Sequence, residues 1–170
     1  VAQAAGAWRT MGVKRGERVA VALADDAAWV AAFLGAIFGG AVAVAMNPRL
    51  APGDRDALAA EGRYAAWLGE DGAAAPATVT NTVSRSAWRT RVGAATAAAG
   101  ATCSPEMPAF WLYSSGTTGL PKAVVHAHRA GPSVARCGIE VFGIDDSDRL
   151  FAPSRLFFAY PLANSLFTGL

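Results

Sequence analysis

Apolar positions over residues 1–69 alternate between two spacings, one typical of helices and one typical of buried strands. Trp8 and Met11 belong to a stretch of helical spacing, whereas the run 41–46 alternates alanine with valine and has no charge. In chain order we predict a helix within 1–11, a strand over 19–23, a helix over 26–38, a strand over 41–46, a helix around 53–62 and a strand near 64–68. This alternation predicts an α/β fold with a mostly parallel sheet flanked by helices.

The segment 70–108 has a different character. It is rich in Ala, Thr, Ser and Gly and lacks a long apolar periodicity, although Trp88 stands between Arg85 and Arg89. We interpret it as a variable surface segment with local helix or strand.

The stretch 27–46 contains no charged residue, and about 20 apolar residues suffice to cross a bilayer. However, Gly39 and Gly40 interrupt it, and the following Val/Ala alternation is typical of a buried parallel strand. We therefore expect a helix and a strand of the sheet core and no membrane span.

Composition narrows the possible functions further. The chain is 53% hydrophobic and 16% charged, which excludes an intrinsically disordered protein. A net charge of +2 is too small to indicate a nucleic-acid-binding surface. Two cysteines, Cys103 and Cys137, are too few for a disulfide framework, so we expect reduced thiols in a cytoplasmic protein.

The segment 114–122 contains the main candidate for chemistry. It follows the apolar run 110–113, a predicted buried strand, and reads Ser114-Ser115-Gly116-Thr117-Thr118-Gly119-Leu120-Pro121-Lys122. Glycines let backbone N–H groups turn inward, hydroxyls add donors and the lysine adds positive charge, a combination that suits a polyphosphate. The spacing is not that of a Walker loop. A flexible polar turn is the alternative interpretation.

Two other patterns are weaker. His126 and His128 share one face of a predicted strand, but no Cys or carboxylate lies nearby in sequence, which favours a structural role over metal binding. The acidic run 145–148 lacks the glycine and the distal Glu of a calcium loop. It predicts a solvated turn before a strand at Leu150. No G-x-S-x-G motif supports a serine hydrolase.

The string from Tyr113 to Lys122 resembles the signature loop of the acyl-adenylate-forming (AMP-binding) superfamily, which includes acyl-CoA ligases, adenylation domains of nonribosomal peptide synthesis and luciferases. The following Ala-Val-Val-His-Ala-His string agrees with this resemblance, except that Ala123 stands where the family usually has Gly. The length of the match argues against an ordinary turn. The resemblance implies that the loop binds the β- and γ-phosphates of ATP and that Thr117 meets Mg²⁺. The implied phosphate-binding residues are Ser114, Ser115, Gly116, Thr117, Thr118, Gly119, Pro121 and Lys122.

A second string, over 155–164, resembles the substrate-side motif of benzoate–CoA ligases. The resemblance implies that Ala159 and Tyr160 line the carboxylic-acid pocket, where an aromatic side chain stacks well on an aryl acid. Pro161 and Ala163 depart from the usual glycines, a change that could admit alkyl acids. An aryl acid such as benzoate is the favoured substrate.

The resemblance implies an ATP-dependent acid–CoA ligase that uses Mg²⁺ and coenzyme A and forms an acyl-adenylate first. The alternatives are an adenylation domain that loads a carrier protein and a non-enzymatic nucleotide-binding remnant. Later motifs of the family are absent, and the chain stops within an apolar run at Leu170. We therefore expect an inactive piece of a longer protein, an incomplete N-terminal domain. It would comprise an opening βαβ region (1–69), the variable segment (70–108), and the phosphate loop with the start of the acyl pocket (109–170). The sequence predicts no oligomeric state.

Overall fold

The computed structural model describes residues 1–114 and 121–170. Its helices are α1 (Ala2–Thr10), α2 (Ala27–Phe38), α3 (Pro52–Gly62), α4 (Arg85–Ala94), α5 (Ala130–Phe142) and the short α6 (Ala159–Pro161), which continues into a π-helical segment (Leu162–Phe167). Its strands are β1 (Arg18–Ala22), β2 (Val42–Ala45), β3 (Ala66–Gly69), β4 (Thr82–Ser84), β5 (Pro108–Ser114) and β6 (Lys122–Ala127).

The six strands form one sheet in the order β4-β3-β1-β2-β5-β6. All neighbouring pairs are parallel except β5 and β6, which form an antiparallel hairpin. Every residue of β2 and β3 is buried, as expected of parallel strands covered on both faces. The predicted α/β fold with a mostly parallel sheet flanked by helices is therefore confirmed.

Helices cover the two faces of the sheet unequally. On one face, side chains of α1, α2, α4 and the π-helical segment share a core with the strands, in which Trp29 stacks on Phe33 at 4.8 Å between ring centroids. On the other face, α3 covers a smaller core that includes Leu58, Tyr64 and Trp67. The first face therefore holds most of the apolar packing that fixes the sheet.

Helices α1 and α2 approach each other closely where both have small residues. A Cβ atom added at Gly35 would lie 2.6 Å from the Cβ of Ala4 and 3.0 Å from the backbone nitrogen of Ala5. The short distance between the two helices therefore requires a glycine at this contact between small residues.

The interpretation of 70–108 as a surface segment is wrong at Val83 and Trp88. Val83 lies in β4, the edge strand beside β3, and Trp88 of α4 is 1% exposed and packs on Trp8 at 4.3 Å between ring centroids. A strand of three residues is too short to show a period, and α4 buries one residue, so neither produces a local apolar pattern.

Two expectations for the region after β6 also change. The strand expected at Leu150 is absent: Leu150 lies in irregular chain, and the neighbouring Phe151 is 80% exposed. A strand needs a partner strand for its backbone hydrogen bonds, and none pairs with this stretch among the described residues. Conversely, the helix α5 was not expected, because Gly131, Pro132 and Gly138 weaken the helical signal.

The longest helix of the described residues, α5, has 13 residues. No helix within 1–114 or 121–170 has the length and apolar content that a bilayer span requires.

Candidate functional site

The carboxyl ends of β2 and β5 lie side by side at a point where the chain leaves in two directions. After β2 the chain crosses to β3 on the far side of β1, whereas after β5 it turns back into β6 at the opposite edge. Connections that diverge in this way leave a crevice outside the carboxyl ends of parallel strands, the usual position of ligands in open α/β sheets. The predicted phosphate loop begins there, at Ser114.

The structure describes three residues of the predicted phosphate loop. Ser114 and Lys122 are paired across the β5–β6 hairpin, and the Ser114 hydroxyl donates to the Lys122 carbonyl at 3.3 Å. Both residues are exposed, and Pro121 between the loop and β6 is half-buried. The predicted residues Ser115, Gly116, Thr117, Thr118 and Gly119 lie outside the described residues.

A pair of tyrosines supports the strand directly before the loop. The hydroxyl groups of Tyr64 and Tyr113 are 2.5 Å apart, and the Tyr64 hydroxyl also lies 3.9 Å from the sulfur of Met46. Burial raises the pKa of both phenols. The two groups therefore stay neutral and hydrogen-bonded near pH 7, and they tie the end of β5 to the core beneath it.

A second feature of the same edge is a pocket of about 200 Å³ at the carboxyl ends of β1 and β2. Its lining includes Asp25 after β1, Asn47 after β2, and Arg155 and Phe157 from the predicted acid-pocket motif. The pocket therefore brings the motif over 155–164 to the edge of the sheet, more than 100 residues along the chain from β1.

Asp25 makes the direct connection between the two parts. One of its carboxylate oxygens, Oδ2, accepts a hydrogen bond from the backbone N–H of Leu156 at 3.1 Å and lies 3.9 Å from the guanidinium of Arg155. The other oxygen, Oδ1, is buried and accepts no hydrogen bond from the described residues. The Asp25 side chain is 21% exposed, so its contacts lie mostly away from solvent.

Arg85 fixes the residues on both sides of Asp25. Its guanidinium pairs with Glu70 at 2.7 Å, pairs with Asp26, and donates to the carbonyl of Ala24 at 3.2 Å. Glu70 in turn accepts from the backbone N–H of Ala24 at 2.6 Å. The hydrogen bonds from Arg85 are the main cause that lowers the pKa of the Glu70 carboxyl, with burial acting in the opposite direction.

Asp26 also caps helix α2, because its carboxylate accepts from the backbone N–H of Trp29 at 2.9 Å. The sequence predicts a helix start here but not the ion pairs. The group Asp26, Glu70 and Arg85 is called the Arg85 clamp below. One signal could have indicated it: each of the three follows directly or closely after a strand of a parallel sheet, so all lie at one edge.

The predicted acid-pocket residues Ala159 and Tyr160 begin α6, and both are exposed. Tyr160 is 63% exposed and lines a groove against α5, together with Val134 and Phe142. The lining of this groove includes neither Ser114 nor Lys122. The structure thus places the two predicted parts of the site on different elements and joins the acid-pocket motif to the sheet through Asp25.

The two histidines after the loop, His126 and His128, are partly buried. The His126 ring stacks on Phe110 at 4.6 Å between ring centroids with 6° between planes. Burial lowers the pKa of both His126 and His128. Among the described residues, no group of three His, Cys, Asp or Glu side chains could hold a metal ion. The stacking of His126 on Phe110 favours a structural role for this ring.

Comparison with known proteins gives consistent matches over nearly the complete chain. A family model described as AMP-binding enzyme matches residues 1–170. The 3-hydroxybenzoate–CoA ligase of Aromatoleum sp. (strain CIB) is 40% identical over 182 residues, which cover 96% of this chain and 34% of that protein. The 3-hydroxybenzoate–CoA/4-hydroxybenzoate–CoA ligase of Thauera aromatica is 38% identical, with coverage of 96% and 35%.

Among solved structures, the anthranilate CoA ligase AuaEII in complex with anthranoyl-AMP superposes with a TM-score of 0.89 at 28% identity, over 98% of this chain and 34% of that one. The chain therefore spans about a third of the length of the curated relatives that it matches. The resemblance to the acyl-adenylate-forming superfamily, and to its benzoate–CoA ligase-like members, is confirmed. This chain belongs to the family of AMP-binding enzymes.

Proposed function

We propose that the full-length gene product is an ATP-dependent acid–CoA ligase that activates an aryl acid of the benzoate or hydroxybenzoate class. The observation that supports this most is the family match over residues 1–170, with a polyphosphate-type loop starting at the carboxyl end of β5. Hydroxybenzoate–CoA ligases among the relatives support an aryl over a fatty acid. The same proposal includes a cytoplasmic location.

On the ATP side, residues 114–122 bind the β- and γ-phosphates. Lys122 is exposed at the end of the hairpin, where its ammonium group can offset phosphate charge. Mg²⁺ is usually held by one or two protein oxygens together with substrate phosphates. The family resemblance assigns the protein oxygen to the Thr117 hydroxyl, with the phosphates of ATP as the other ligands.

On the acid side, Ala159 and Tyr160 form one wall of the acid pocket. Tyr160 offers a flat aromatic surface that is 63% exposed and therefore free to contact an aryl ring. Pro161, which follows it, is buried and lies where α6 continues into the π-helical segment.

The reaction has two steps. A carboxylate oxygen of the acid attacks the α-phosphorus of ATP, the bond between the α-phosphorus and the bridging oxygen breaks, and pyrophosphate leaves with the loop offsetting its charge. The thiolate of CoA then attacks the acyl carbon, and AMP leaves. In this proposal the opening βαβ region comprises residues 1–69 and the variable segment comprises residues 70–108. The phosphate loop and the start of the acid pocket lie within residues 109–170. The 170-residue chain alone is proposed to be inactive.

The first experiment incubates the full-length gene product with ATP, Mg²⁺, CoA and one acid, either benzoate, 3-hydroxybenzoate or octanoate. We expect aryl-CoA to form with release of AMP and pyrophosphate, and octanoate to react much more slowly. A reaction that needs a phosphopantetheinyl carrier protein instead of CoA would establish the carrier-loading alternative. Binding of ATP without pyrophosphate release for any acid would indicate a non-enzymatic remnant.

The second experiment tests the loop with the double variant T117A/T118A. Removal of transition-state donors to a developing charge typically lowers the rate by about 100-fold or more, so pyrophosphate release should fall by that order with little change in melting temperature. The matched control is T78A/T80A, which removes two exposed hydroxyls elsewhere. Unchanged pyrophosphate release in T117A/T118A would contradict the assigned role.

A further inference from the structure

We propose that Asp25 is a positioning residue for the acid substrate: its carboxylate holds the Leu156 amide and thereby sets where Ala159 and Tyr160 stand relative to the sheet. This inference rests on the proposed function. It adds a residue that lies outside both motifs and about 130 positions before the segment it holds. The contact that carries it is the hydrogen bond of 3.1 Å from Leu156 N–H to Asp25 Oδ2.

The path from this hydrogen bond to the proposed acid pocket is short and stiff. The backbone N–H of Phe158 donates to the carbonyl of Arg155 at 2.9 Å, which closes a turn around Leu156. Helix α6 begins at the next residue, Ala159. Displacement of the Leu156 amide would therefore move Ala159 and Tyr160 with it, because there is no flexible linker between them.

The other end of the connection is fixed by the Arg85 clamp. Ala24 and Asp26 flank Asp25 in sequence, and each is bound by a member of the clamp. Asp26 is also held by its cap on helix α2. The Asp25 backbone is thus fixed on both sides, and its side chain can serve as a rigid support.

The ion pair with Arg155 contributes less than the amide contact. Its atoms are 3.9 Å apart and the Arg155 side chain is 53% exposed, and exposed pairs of this kind contribute little. The amide hydrogen bond is charge-assisted and mostly shielded from solvent, which makes it the stronger of the two. The amide oxygen of an asparagine at position 25 can still accept from the Leu156 N–H but without the charge, so Asp25→Asn should preserve about half of the effect.

The test compares Asp25→Ala, Asp25→Asn and the control Asp146→Ala, an exposed aspartate in the turn after α5. Steady-state pyrophosphate release by the full-length gene product gives kcat and the KM for 3-hydroxybenzoate and for ATP. We expect Asp25→Ala to raise the KM for the acid about tenfold or more, as for loss of one hydrogen bond to a charged group, with the KM for ATP unchanged. Asp25→Asn should restore the acid KM to within about threefold of wild type.

A second readout does not depend on turnover. Hydrogen exchange of the Leu156 amide should be faster in Asp25→Ala than in wild type and Asp25→Asn, while exchange in β1–β3 stays the same. If Asp25→Ala and Asp25→Asn lose kcat equally and leave both KM values unchanged, the role of Asp25 is merely structural and the proposal is overturned. Unchanged hydrogen exchange of the Leu156 amide in Asp25→Ala would overturn it as well. A wild type that releases no pyrophosphate contradicts the proposed function, whereas an active wild type with an unaffected Asp25→Ala contradicts the role of Asp25 alone.

Discussion

Residues 1–114 and residues 121–170 differ in how completely they bury their apolar side chains. In the first region, β2 and β3 are buried at every position. In the second, β6 contains the exposed residues Val124 and Val125, and α5 exposes Phe142. Of the eleven large apolar side chains that are exposed among the described residues, nine lie in 121–170.

The comparison shows where the proposed site depends on long-range contacts. The predicted phosphate loop follows β5 of the first region, and the tyrosine pair Tyr64–Tyr113 at the end of this strand belongs to the core beside α3. The acid-pocket motif belongs to the second region, where exposed side chains provide less packing. Within this motif Leu162 is buried in the core and Leu156 and Phe157 pack against it, and Asp25 adds the hydrogen bond to the Leu156 amide.

The largest expected effect is a difference in unfolding free energy between alanine variants of two phenylalanines, one in each region. Phe33 is fully buried between Trp29 and Phe110, whereas Phe142 is 74% exposed. Phe33→Ala should lower the free energy of unfolding by about 3–5 kcal/mol, and Phe142→Ala by no more than about 0.5 kcal/mol. Urea unfolding of the two variants measures both values. Similar losses would show that the second region is as tightly packed as the first.

A smaller loss of unfolding free energy is expected when the Arg85 clamp is broken. Arg85→Ala removes hydrogen bonds to two carboxylates and leaves Glu70 and Asp26 without their cation, which should cost about 2 kcal/mol of unfolding free energy. Arg89→Ala, at an exposed position of the same helix, is the matched control and should stay within about 0.5 kcal/mol of wild type. Equal effects of the two would mean that the clamp contributes nothing to folding.

The tyrosine pair at the end of β5 should contribute somewhat less to the free energy of unfolding. Tyr64→Phe leaves the half-buried Tyr113 hydroxyl without its partner, at a cost of about 1–2 kcal/mol. Tyr160→Phe removes an exposed hydroxyl and should leave the unfolding free energy within about 0.5 kcal/mol of wild type. Thermal and urea unfolding measure the difference. A stability of Tyr64→Phe equal to that of Tyr160→Phe would contradict the support proposed for the end of β5.

The smallest effect is a pH dependence. Because Arg85 lowers the pKa of Glu70 in the folded protein, ionised Glu70 stabilises the fold above its unfolded pKa of about 4.3, and this stabilisation is lost as the pH falls through the folded pKa. The difference in unfolding free energy between wild type and Glu70→Gln should therefore shrink from about pH 5 to about pH 3, by less than about 1 kcal/mol. A difference that is constant over this range would contradict the assignment.

The sequence predicted the elements whose signal is local. The strands of β1 and β2 and the helix α2 are long apolar runs with clear boundaries, and the loop over 114–122 is a long contiguous motif. The predictions missed what depends on distant partners. Trp88 is buried because α4 packs on α1, and Arg85 meets Asp26 because β1, β3 and β4 align in the sheet.

The same distinction applies within the site. The role of Ser114 as the start of the loop could be read from the residues that follow it, and the structure places it at the carboxyl end of β5. Asp25 has no such local signal, since next to Asp26 it resembles an ordinary acidic helix start. Its partner, the Leu156 amide, is a backbone group, and a sequence pattern does not mark which backbone groups are paired across 131 positions.

The most direct measurement is isotope exchange between pyrophosphate and ATP, catalysed by the full-length gene product without CoA. Exchange requires a reversible acyl-adenylate, so it isolates the step in which we propose that residues 114–122 and the acid pocket act together. We expect exchange that depends on added 3-hydroxybenzoate or benzoate and is much weaker with octanoate. No exchange with any carboxylic acid, from a folded protein that binds ATP, would contradict the proposal that this chain forms part of an acid-activating enzyme.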